Sequence, residues 1–151
     1  MTGERQLATL IAQMKPWLDE EEFVFCTIAP QALDHQPDPP FTKLSHLRRV
    51  AIAQFQEAEG ISLILPKAIA AAHGLPTSFP CRKITLTVHS SLDAIGFLAA
   101  VTAELARHNI SVNPVSAYFH DHLFVPCDRA DEAMSVLTQM QTQATMTPSA
   151  E

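Results

Sequence analysis

The sequence predicts an α+β chain built from two similar halves, and three observations carry that expectation. The run Ile84–Pro126, ITLTVHSSLDAIGFLAAVTAELARHNISVNPVSAYFHDHLFVP, lays out strand, polar turn, amphipathic helix, strand, tight turn and strand without a break. With a helix after Asp128 the second half reads β-α-β-β-α, a split βαβ unit short only of its last strand. The first half reads α-β-β-β-α, so a strand from one half would complete the sheet of the other and tie the two together.

The elements follow in order. Leu7, Leu10, Ile11 and Met14 stand at i, i+3, i+4 and i+7, the stripe of an amphipathic helix. Pro16 ends it, and Trp17 and Leu18 close over its end. Past the acidic Asp19–Glu22, Phe23–Ile28 reads as a buried strand. Ala29–Leu47 carries Pro30, Pro37, Pro39 and Pro40 with Asp34, His35 and Asp38 between them, the composition of a surface loop. Val50–Gln56 and Ile61–Leu65 form a hairpin around Glu57–Gly60. Pro66 opens a helix over Lys67–His73, which Gly74 stops. Leu75–Cys81, with Pro76 and Pro80, separates the halves, giving units 1–76 and 77–140 and a flexible tail 141–151.

In the second half Arg82–Val88 alternates, with Ile84, Leu86 and Val88 on one face and Lys83, Thr85 and Thr87 on the other. Ser90 and Asp93 have the spacing of a capping box. The helix that follows lines Ile95, Leu98, Ala99, Thr102, Leu105 and Ala106 along one face, and Asn109 stops it. Ser111–Tyr118 is a strand whose Pro114 argues for an edge. His122–Val125 pairs back after the turn at Phe119–Asp121. Asp128 caps a last helix with Ala133, Val136, Leu137 and Met140 inward.

Composition narrows the function. Of 151 residues 47% are hydrophobic and 17% charged, which suits a compact fold, and the net charge of −6 argues against neutralising nucleic-acid phosphates. No window approaches the ~18 apolar residues of a membrane span, and MTGERQLATLIAQMKP does not read as an export signal. The expected compartment is the cytoplasm, with no nucleic acid and no membrane as partners. Cys26, Cys81 and Cys127 are scattered and read as small buried thiols.

The polar turn His89, Ser90, Ser91 and Asp93 has two readings from its residues. One is a helix cap, with Ser90 and Asp93 serving backbone donors. The other is an anion cradle at the helix start, which Gly96 opens by lacking a Cβ. His120 and His122, with His89, invite a metal site, yet no Cys or Glu completes the set and Asp121 reads as a turn former. Ser90, Asp121 and His122 do not make a hydrolase triad: there is no G-x-S-x-G elbow, and Asp121 and His122 point to opposite faces. No catalytic residue, metal or cofactor is expected.

HSSLDAIG and YFHDHLFVP resemble the ACT-domain superfamily, and more closely a family of small bacterial tandem-ACT proteins. Its members carry a segment like LTVHSSLEAVGLTAA, an asparagine-bearing strand, then GYYHDHIFV. The counterparts here are Ile84–Ala100, Asn113 and Tyr118–Val125. DEEEFVFCTI and AEGISLIL also resemble the family. The Pro-rich insertion Ala29–Leu47, Pro114 and Ser116 depart from it.

The resemblance implies two ferredoxin-like βαββαβ units packed together, with antiparallel sheets and helices on one face. It also implies a non-enzymatic regulatory protein that binds an amino acid or similar small effector. The implied ligand set is His89, Ser90, Ser91, Leu92, Asp93, Ala94, Ile95 and Gly96, with Asn113, Tyr118, Asp121 and His122. The effector carboxylate would meet the backbone of Leu92–Ile95, and its amine Asp93 or Asp121. Exposed strand edges point to a homodimer, and regulation would act on a separate protein partner. The rival expectations are a ligand-free interaction module and a small metal-dependent enzyme using His89, His120 and His122.

Overall fold

The computed structural model describes residues 3–29 and 43–146. The elements are α1 (Leu7–Gln13), β1 (Pro16–Ile28), α2 (Lys43–Val50), β2 (Ala53–Glu57), β3 (Gly60–Pro66), α3 (Lys67–Ala72), β4 (Ser78–Leu86), α4 (Phe97–Arg107), β5 (Asn113–Ser116), β6 (Asp121–Pro126) and α5 (Ala130–Met146). A 3-10 turn, Cys127–Arg129, precedes α5. Thus β1-α2-β2-β3-α3 is followed by β4-α4-β5-β6-α5, the same βαββα order twice, as the α+β, ferredoxin-like expectation requires.

The described residues of Met1–Glu20 and Cys81–Glu151 form one compact unit, and those of Glu21–Pro80 another. In the first the strand order is β1-β4-β6-β5, with β1 represented by Pro16–Glu20; in the second it is β2-β3-β1. The strand that the second half lacked is therefore lent by β1. Pairings β4–β6 and β5–β6 are antiparallel in the first unit, as are β1–β3 and β2–β3 in the second.

The core of the first unit joins Leu10 and Met14 of α1, Ile84 and Leu86 of β4, Phe97, Val101 and Leu105 of α4, Leu123 and Val125 of β6, and Ala133, Val136 and Leu137 of α5. Alternate residues of β4 and β6 supply it, so the three helices cover one face of the sheet. In the second unit Val24 and Cys26 of β1 and Ile61, Leu63 and Leu65 of β3 meet Leu47 of α2 and Ala70 of α3. Helices α3 and α4 both end in Schellman motifs. Leu75 N–H donates to Ala70 O and Ile110 N–H to Leu105 O, around Gly74 (φ 61°) and Asn109 (φ 54°).

Several boundaries differ from expectation, each for a local reason. β1 starts at Pro16, not Phe23, because a proline at a strand's first residue forfeits no ladder donor. Its acidic run is accommodated by lysines, Lys83 Nζ lying 3.2 Å from Asp19 Oδ2 and Lys67 pairing with Glu22. Trp17 therefore belongs to the strand and is more than half exposed. Residues 43–47, expected in the loop, and Val50, expected in a strand, form α2, where Leu44, Leu47 and Val50 share a face and Arg48 and Arg49 suit the last turn. The remainder of the Pro-rich stretch, 30–42, lies outside the described residues.

In the second half α4 starts at Phe97, so Ser90 and Asp93 form no capping box. Its inner face is Phe97, Val101 and Leu105, while Ile95 is 88% exposed and precedes the helix. Asp128 sits inside the 3-10 turn and makes no side-chain cap. Residues 141–146, expected in the tail, extend α5 to Met146, and 147–151 lie outside the described residues.

Candidate functional site

Between β4 and α4 the chain makes a ten-residue excursion, Thr87–Gly96, that contains tight turns and no helix or strand of its own. Ser90 N–H donates to Val88 O at 3.1 Å, and Ala94 N–H to Ser91 O at 2.9 Å. Gly96 then enters α4 at φ 87°, a left-handed conformation that a side chain would oppose. No side chain caps the helix start, and the first N–H groups of a helix have no partner within it.

Opposite this turn, β5 and β6 pair with Ser116 facing Asp121. Asp121 is the first residue of β6 and is 94% buried, since its relative exposure is 6%. Ser90 Oγ donates to Asp121 Oδ2 at 2.8 Å and Ser116 Oγ to Oδ1 at 2.6 Å. The expected turn former is thus a buried carboxylate held by two hydroxyls, one from each side of a cleft. The cleft, of about 180 Å³, is lined by Ser90, Ser91, Leu92, Ala94, Gly96, Phe97, Leu98, Ala99, Ser116 and Asp121. A fixed carboxylate and the first turn of a helix border one space. That arrangement offers an acceptor for a cation and donors for an anion.

Of the residues expected at the site, Ser90, Ser91, Leu92, Ala94, Gly96 and Asp121 line the cleft, and six others do not. Asp93 turns outward to Arg5, whose Nη2 donates to Oδ2 at 2.9 Å, with both side chains mostly exposed. Ile95 projects outward. Asn113 lies at the far end of β5, paired with Phe124. Tyr118 is exposed and its ring packs on Phe119, 4.8 Å between centroids.

His89 packs against Phe119 (5.5 Å) and His120 Nδ1 donates to Val88 O at 3.3 Å. His122 shares a 2.9 Å hydrogen bond with Thr85 Oγ1 on the face of β6 away from Leu123. Burial, then Lys83 and His120, holds the His122 imidazole below its ordinary pKa, against the opposing pull of Asp121. The three histidines thus face different partners, and among the described residues no group of three or more metal-ligating side chains assembles.

Cys26 and Cys81 are buried and Cys127 is half-buried, and none of the three is in a disulfide. Burial pushes the Cys26 thiol up and, with Cys127 nearby, the Cys81 thiol to about 12, so neither is an activated nucleophile.

Sequence reasoning missed Phe97, Leu98, Ala99 and Ser116. The first three were hidden because the helix start was placed at Ser90. Ser116 had a signal: it stands where the resembled family tends to carry another small or apolar residue.

Comparison with known proteins agrees with the architecture. An ACT-domain model matches residues 2–82 and a second ACT-domain model residues 78–139. Among solved structures the chain is similar to a Vibrio cholerae protein of unknown function described as a possible transport protein. The two are 36% identical over 89% of this chain and 95% of that one, with a TM-score of 0.73. An Agrobacterium tumefaciens protein gives 12% identity, 83% and 87% coverage and a TM-score of 0.63. The ligand-free regulatory subunit of aspartate kinase from Thermus thermophilus gives 12% identity, 83% and 95% coverage and 0.58. At such identities the last two share the fold alone. No curated protein matches the chain.

Proposed function

The chain belongs to the ACT-domain family, as two ACT domains in tandem, and on that premise we propose that it is a non-enzymatic regulatory protein whose effector is a free amino acid or a similar small zwitterion. The observation that carries the proposal is Asp121: a buried carboxylate, fixed by Ser90 and Ser116, in a cleft that also reaches the first turn of α4. In this reading Asp121 takes the ammonium group, and the N–H groups of Phe97, Leu98 and Ala99 take the carboxylate. The anion thus moves from Leu92–Ile95, where the sequence suggested it, to the true helix start.

The size of the cleft favours the same class. About 180 Å³ is the share of roughly six water molecules at about 30 Å³ each, below the range of about 300–1,000 Å³ typical for drug-sized ligands. Regulation is assigned to a separate protein partner, with the homodimer forming through an exposed strand edge. The compartment assigned is the cytoplasm, where thiols such as Cys26 and Cys81 stay reduced.

A ligand-free interaction module is the second reading. It is favoured by the exposed Leu92 and Ile95 and by the exposed, mutually packed rings of Tyr118 and Phe119, since exposed apolar patches mark docking surfaces. A thermal-shift screen of the twenty amino acids separates the two. An effector at 100 times its Kd stabilises by about 2.7 kcal/mol, a rise of about 5–10 °C for a chain of this size. No shift with any amino acid sinks the effector reading and leaves the docking surface.

A further inference from the structure

The excursion that builds the cleft is pinned by the N-terminal stretch at two points in its first half. Where it leaves β4, Thr87 N–H donates to Met14 O at 2.7 Å and Thr87 Oγ1 to Lys15 O at 3.0 Å. Three residues later Gly3–Arg5 lies beside it as a short parallel bridge. Glu4 N–H donates to His89 O at 2.9 Å, and Ser91 N–H donates to Glu4 O at 2.8 Å. These two bonds bracket Ser90, the residue whose hydroxyl reaches Asp121.

The approach is too close for a side chain at position 3. A Cβ on Gly3 would stand 2.6 Å from Ser91 N and 2.7 Å from Ser90 C, both backbone atoms. Arg5 then reaches across the turn to Asp93. The Glu4 carboxylate faces the other way and accepts from Gln6 N–H at 2.8 Å and Arg5 N–H at 2.6 Å. Those two bonds hold its carboxyl below the usual range and fix the entry to α1, which is anchored in turn by the fully buried Leu10 and Met14.

We infer that Gly3–Arg5 is the positioning element of the effector cleft: it fixes the backbone on both sides of Ser90, so that cleft occupancy and docking of this segment are coupled. The inference rests on the amino-acid reading above and adds a control point to it. The bonds within the excursion, Ser90 to Val88 and Ala94 to Ser91, are local and do not hold Ser90 against Asp121; the bridge to Glu4 does. By linkage, an effector that requires Ser90 in register tightens the segment, and release of the segment weakens the effector by the same factor. The outward Asp93, which seemed a ligand residue in the sequence, acts through Arg5 in this scheme.

The test uses the full chain with Gly3→Val, Arg5→Glu and Arg5→Lys. Amide hydrogen exchange is read at Ser91 and Glu4, with Leu86 and Val101 as core controls, and the twenty amino acids serve as probes in a thermal-shift titration. In Gly3→Val, exchange at Ser91 should rise while the controls stay protected. The titration midpoint of any amino acid that shifts the wild type should move up about tenfold, the equivalent of about 1.4 kcal/mol. Arg5→Glu, which repels Asp93 on an exposed surface and so leaves the core folded, should shift both readouts the same way, and Arg5→Lys should restore them.

Unchanged Ser91 exchange in Arg5→Glu and in folded Gly3→Val overturns the inference, as does an undiminished amino-acid response in a variant whose Ser91 exchanges freely. If no amino acid shifts the wild type, the effector reading fails, while the exchange measurements still decide whether the segment positions Ser90.

Discussion

Replacing Asp121 by asparagine separates recognition from stability. The carboxylate accepts from Ser90 and Ser116 at 2.8 and 2.6 Å in a buried setting, and hydrogen bonds to a charged group contribute about 1.5–3 kcal/mol each. Asp121→Ala would remove both and strand two hydroxyls, so stability and binding would fall together. Asp121→Asn keeps the shape and one acceptor oxygen, and the serine hydroxyls can rotate to accept from the new amide. Its cost to folding should be about 1 kcal/mol. The cost to an ammonium ligand is larger, because the charge that offsets it is gone from a poorly solvated site. We expect affinity to fall about 100-fold, or about 2.8 kcal/mol. Urea denaturation reads the first quantity and isothermal calorimetry with the amino acid found in the screen reads the second. Wild-type affinity in Asp121→Asn would refute the assignment of the amine to Asp121.

Two further substitutions probe the fold, one in each unit. Gly60 sits at φ 145°, and an added Cβ would run into Ile28 O in the β1–β3 pair, so Gly60→Ala should cost about 3 kcal/mol or more in chemical denaturation. His122 titrates below its ordinary value of 6.5 because it is buried. The unfolded chain therefore binds the proton more readily than the fold does. The contribution of neutral His122 is complete above pH 6.5 and is lost as pH falls through the lower folded value. The urea midpoint should accordingly drop between pH 7.5 and 5.5 in the wild type and drop less in His122→Gln.

The βαββα plan of the second half was legible because its signals are periodic, whereas the first half read as α-β-β-β-α and its α2 was missed. Ile84, Leu86 and Val88 alternate, Leu123 and Val125 repeat the pattern, and Gly74 and Asn109 end their helices where expected. The errors arose where one local signal competed with another. Ser90 and Asp93 have capping-box spacing, yet Ser90 Oγ finds a partner 31 residues away and Asp93 one 88 residues away. Only tertiary structure reveals such pairings. Pro16 was read as a stop and is the start of a strand, since losing an N–H costs nothing there. Asp121 looked like turn chemistry because Phe119 and His120 precede it, and its burial follows from the β5–β6 register, which a sequence does not display. The cleft was therefore half legible: its loop was recognised, while its helix start and Ser116 depended on the register.

The central claim is that an amino acid bridges Asp121 and the first turn of α4. Backbone NMR of the full chain, titrated with the amino acid that gives the largest thermal shift, tests it most directly. The account predicts the largest shift changes at the amides of Phe97, Leu98 and Ala99, with Ser90 and Ser116 next and Asn113 and His122 little affected. Saturable changes centred elsewhere, with the α4 amides unmoved, would contradict it.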